Sequence, residues 1–144
     1  MDWIPIANLS PRSERRDSQG VRVDLLVSPY DVPEALRGEY LREKGHFRIE
    51  FKYISTEDTS EKPEPDMENV TVRLGRNSGR LYAIELDVQA LQATSVELRI
   101  KIAAELKNVL THLIDKPLSP LRSSNYSMAK EAIEKHEQEI LQAV

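Results

Sequence analysis

Strict alternation of apolar and polar residues is the feature that most constrains this chain. In HFRIEFKYIS, residues 46–55, Phe47, Ile49, Phe51 and Tyr53 point one way, and Arg48, Glu50, Lys52 and Ile54 point the other. NVTVRL and RLYAIELDV repeat the pattern through Val70, Val72 and Leu74, then Tyr82, Ile84, Leu86 and Val88. VRVDLLVS carries it through Val21, Val23, Leu25 and Val27. A two-residue period belongs to a strand with one buried face. Four such strands predict an antiparallel sheet covered on one side only.

The segment GRNSGR lies between two of these strands and holds two glycines and two arginines. Its register follows from keeping the apolar residues of both strands on one face. Pairing Arg76 with Arg80 sets Leu74 opposite Tyr82, Val72 opposite Ile84 and Val70 opposite Leu86. Asn77, Ser78 and Gly79 then form a three-residue loop. Gly79 takes the left-handed position, where a side chain is costly. Anion-binding glycine loops present their N–H groups at a helix N-terminus. This loop joins two strands, so it reads as a hairpin tip with Arg76 and Arg80 exposed beside it.

At residue 94 the period changes. TSVELRIKIAAELKNVLTHLID opens with Thr94 and Glu97 at capping-box spacing, and its polar positions recur every three or four residues. The apolar arc on residues 96–114 exceeds half the circumference, more than one sheet face can cover. Ile100, Ala104 and Leu110 are placed on its far side, where a second copy of the chain, or alternatively the second helix folding back, would bury them. KPLSPLRSSN reads as an irregular linker, and a second helix follows with a thin stripe through Ala129, Ile133, His136 and Ile140.

The remaining segments carry weaker signals. Residues 29–45 contain two prolines and predict one or two helical turns, with Asp31 and Glu34 as a cap and Gly38 limiting their length. Residues 57–68 hold six carboxylates, one lysine and two prolines, and predict a solvated loop outside the sheet. Residues 1–20 form an arm with a small basic cluster at Arg12, Arg15 and Arg16.

A chain of 144 residues with these elements fits one domain, residues 1–144. The expected fold is α+β: a four-stranded antiparallel meander over residues 21–88, then helices at 94–115 and 126–142 on one sheet face. With no cysteine there are no disulfides and no thiolate metal sites. The net charge of −4 argues against nucleic acid as the default partner. The absence of a leader or a membrane-length apolar run makes the cytoplasm the expected location, with no membrane contact.

Catalytic and cofactor patterns are missing from the sequence. His46, His112 and His136 are scattered without metal-ligand spacing, and no nucleophile elbow, dinucleotide fingerprint or phosphate loop occurs. The charged outer face, with Asp24, Arg48, Glu50, Lys52, Arg73, Glu85 and Asp87, fits cross-strand charge pairs. No catalytic, cofactor or metal residue is therefore assigned. The leading expectation is a non-enzymatic interaction or accessory module that assembles with itself through residues 96–114. One alternative is a small-molecule binder or enzyme with a pocket between sheet and helices and Tyr53 and Tyr82 as polar handles. The other is a nucleic-acid binder using the arm and the hairpin arginines.

Overall fold

The computed structural model describes residues 3–6, 13–18, 21–26, 29–54, 60–64, 69–75, 78–89, 95–115, 120–142 and 144. Among these residues, the strands are β1 (Ile4–Pro5), β2 (Ser13–Ser18), β3 (Val21–Leu26), β4 (Ala35–Leu41), β5 (His46–Lys52), β6 (Ser60–Glu64), β7 (Val70–Gly75) and β8 (Leu81–Asp87). The helices are α1 (Ser95–Asp115), α2 (Pro120–Lys135) and α3 (Glu137–Leu141). The main sheet is antiparallel, with strand order β1-β4-β5-β8-β7-β6. It amounts to five full strands with the two-residue β1 at one edge. The fold class is α+β, as the alternation requires, but the sheet is not a four-stranded meander. After β5 the chain crosses to the far edge and returns strand by strand until β8 lies beside β5.

Three segments depart from the sequence reading. Residues 35–41 form β4 rather than helical turns. Gly38 stands at an inward position between Leu36 and Tyr40, and its missing side chain hides the alternation. The glycine is needed there because a Cβ would stand 2.5 Å from the Ile140 carbonyl oxygen and 3.0 Å from Phe47 Cζ. α3 therefore rests directly on this strand. Val21–Leu26 pairs with Ser13–Ser18 as a separate two-stranded sheet, with Arg15 opposite Asp24, so β3 leaves the main sheet and takes Asp24 with it. Ser60–Glu64, read as solvated loop, is the edge strand β6, with Pro63 opposite Arg73 and a register shift between Ser60 and Lys62. An edge position tolerates proline because one side of the strand has no ladder to complete.

The inward face of the sheet presents Leu36, Phe47, Ile49, Phe51, Tyr53, Val72, Leu81, Ile84 and Leu86, all buried. They form one core with Ile102, Leu106, Val109, Leu110 and Leu113 of α1 and with Tyr126, Ala129, Ala132, Ile133, Ile140 and Leu141 beyond it. The five α1 residues recur at helical spacing and fall on a single face. α2 lies over β8 and alongside α1, while α3 covers β4. α2 begins at Pro120, inside the stretch read as a linker. Proline suits the first helical position, where its missing N–H has no intrahelical partner to lose.

Candidate functional site

Three groups of side chains could carry a function: the hairpin tip, the outer sheet face, and the surface where α1 meets α3.

At the hairpin tip, the Gly75 N–H donates to the Arg80 carbonyl at 2.8 Å, and the Gly79 N–H donates to the Gly75 carbonyl at 3.0 Å. The loop is thus one residue longer than the register argument predicts. Val72 still faces Ile84 and Val70 still faces Leu86, because a bulge absorbs the extra residue, and Leu74 faces Leu81 instead of Tyr82. Gly79 has φ of +73°, the left-handed conformation expected of it.

The reason for the longer loop lies in α2. Asn125, 2% exposed, accepts a hydrogen bond from the Leu81 N–H at 2.9 Å. Its amide donates to the Asp31 carbonyl at 2.7 Å and to the Tyr53 hydroxyl at 3.0 Å. Tyr53 donates in turn to the Leu81 carbonyl at 2.7 Å, and the Tyr126 hydroxyl donates to the Gly79 carbonyl at 2.9 Å. Bulge and loop together aim Leu81 and Gly79 at these helix side chains.

Arg80 belongs to the same cluster. Its Nε donates to Asp31 Oδ1 at 2.7 Å, and its guanidinium lies 5.8 Å from the centre of the Tyr53 ring. Burial works against the Arg80 charge, but the Asp31 carboxylate and the Tyr82 hydroxyl together hold the group above its ordinary value. Arg80 is therefore a fold contact and not the exposed tip residue expected from the sequence. Arg76 lies outside the described residues. Tyr53 and Tyr82 meet edge-to-face at 5.2 Å, and burial pushes the Tyr53 phenol well above its ordinary value. Its hydroxyl is committed at both lone pair and proton, so it is no free handle for a ligand.

On the outer face, Arg37 stands opposite Glu50, Glu39 opposite Arg48, and Arg48 opposite Glu85. Arg48 donates to Glu39 at 2.9 Å and lies 2.8 Å from Glu50 and 3.8 Å from Glu85. Arg37 donates to the other Glu50 oxygen at 2.9 Å and carries the Trp3 ring 4.4 Å from its guanidinium carbon. His46 Nδ1 approaches Glu85 at 3.1 Å. Burial opposes the Arg48 charge, and its carboxylate neighbours raise it above the usual value. Glu39, Glu50 and Glu85 each lie against an arginine, so this ladder ties β4, β5 and β8 together. Among the described residues, no group of three or more histidines and carboxylates could hold a metal ion.

The third surface contains the remaining predicted residues. Ile100 is 72% exposed, and Ala104 is also exposed. With Ala103 and Leu141 they floor a groove of about 670 Å³ between α1 and α3, edged by Arg99, Lys107 and Glu137. Lys107 and Glu137 approach to 4.0 Å across it. Leu110, predicted to share this surface, is fully buried in the core of its own chain and offers nothing to a partner. Its position relative to Leu106 and Leu113 turns it inward, and among the described side chains of the broad apolar arc Ile100 and Ala104 remain outside.

The sequence does not single out Asn125 or Tyr126, and it offers Asp31 only as a helix cap, whereas the structure sets it against Arg80 and Asn125. A signal existed for Asn125, which falls one turn before Ala129 and two before Ile133 on the buried stripe of α2. It is visible only once the helix is extended back past residue 126. No protein-family model, curated protein or solved structure matches this chain. No helix among the described residues is long and apolar enough to cross a membrane.

Proposed function

We propose that this protein is a non-enzymatic interaction module that works as a homo-oligomer, with the groove between α1 and α3 as its contact surface. The observation that carries this reading is Ile100, 72% exposed in the second turn of α1 beside a groove floored by Ala103, Ala104 and Leu141. Burying an isoleucine side chain is worth about 1.5–3 kcal/mol, and a two-fold pair would bury two of them. Ala103 and Ala104 leave the α1 backbone open to close approach by another helix. The other candidate groups support no competing activity. The hairpin cluster is consumed by internal hydrogen bonds, and the outer charges neutralise one another. A nucleic-acid reading loses Arg80, which is bound to Asp31.

Light scattering over a range of concentrations tests the proposal. The expected mass is at least twice that of one 16.5 kDa chain, falling towards a single chain on dilution and in Ile100→Glu. A single-chain mass at every concentration would remove the reading.

A further inference from the structure

Resting on that self-association, we infer that the partner seated at the groove is α1 of a second copy, antiparallel to the first. Ile100 of each chain packs on Ala104 of the other, and Glu97 of each chain pairs with Lys107 of the other. Glu97, Ile100, Ala104 and Lys107 are all exposed, and they follow one another at three, four and three positions. That spacing lines one side of a helix in the manner of a helix-pairing seam.

A two-fold contact is self-complementary, so each residue's partner is set by the direction of the helices. A parallel pair sets Glu97 beside Glu97 and Lys107 beside Lys107, with like charges at both ends. The antiparallel pair centred between Ile100 and Ala104 reverses this. Three positions outward from Ile100 is Glu97, three outward from Ala104 is Lys107, and these fall opposite each other twice. Alanine at the contact allows the axes to approach to about 8 Å, the near end of the range for packed helices. Lys107 approaches Glu137 of its own chain at 4.0 Å, where both side chains are substantially exposed. An ion pair of that kind is weak and leaves the lysine able to turn to the partner.

Charge exchange tests the register. Glu97→Lys and Lys107→Glu are prepared separately, as a 1:1 mixture, and as the double variant, with circular dichroism confirming that each folds. Each single variant alone places like charges at both symmetry-related pairs, so its dissociation constant should rise by roughly 10- to 30-fold. In the mixture, the lysine introduced at position 97 of one chain faces the glutamate introduced at position 107 of the other. At the second pair the native Lys107 faces the native Glu97, so association should return to near the native value. The double variant should return likewise. Because the mixture contains only the single variants, any loss within α1 itself persists in it and cannot imitate the recovery. Native-like association of the singles, or a mixture as weak as its components, would overturn this register while native self-association still stood. A native protein that never self-associates would overturn the proposed function with it.

Discussion

Asn125→Ala should be among the most damaging single substitutions in the chain. The asparagine is 2% exposed and makes three hydrogen bonds that join α2 to β8, to the end of β5 and to the turn at Pro29–Asp31. Removing its amide leaves the Leu81 N–H buried without an acceptor, at a cost of about 1–3 kcal/mol. The Asp31 carbonyl is only partly buried and can recover a partner from water, so its loss counts for less. Tyr53 keeps its own bond to the Leu81 carbonyl and loses only the one it receives. With the missing side-chain volume added, the total is about 2–5 kcal/mol, against about 5–15 kcal/mol for the stability of an ordinary domain. Urea unfolding followed by circular dichroism measures it, with the midpoint falling and the slope unchanged. Asn125→Asp keeps the acceptor for Leu81 but loses both donors and buries a charge, and it should not rescue stability. A loss below about 1 kcal/mol for the alanine variant would refute the view that this hub closes the fold.

Other perturbations follow from the same geometry. Gly38→Ala should cost about 1–3 kcal/mol by forcing α3 off β4, measurable as a lowered urea midpoint, since the new Cβ meets backbone at Ile140. Arg80→Ala should cost about 1–3 kcal/mol because it removes a charged hydrogen bond to Asp31, and a melt indistinguishable from native would return Arg80 to the exposed tip. Tyr53 holds its proton more tightly folded than unfolded, so its contribution is complete below the ordinary phenol value of about 10 and declines as pH rises beyond it. Stability measured from pH 8 to 11 should therefore fall more steeply in the native protein than in Tyr53→Phe.

What the sequence by itself determined were the features with local causes. Phe47 to Tyr53, Val70 to Val72 and Ile84 to Val88 alternate because each strand has one buried face, and they are strands with that face inward. Gly79 is left-handed as its turn demands, and α1 begins within a residue of its capping box and ends at Asp115 as expected. The tertiary structure decided everything that depends on a distant neighbour. Gly38 gives no sign that α3 will rest on it from far along the chain, and it is pairing with β5 that holds Ala35–Leu41 extended. The bulge at Tyr82 exists because Asn125 and Tyr126 capture backbone groups of the hairpin, which no spacing within the hairpin encodes. Arg80 reads as exposed until Asp31 is brought beside it, and Leu110 reads as surplus until α2 and the sheet enclose it. Amphipathic patterning shows how much apolar surface a helix carries. Only packing shows which part the chain itself buries, and on α1 that leaves Ile100 outside.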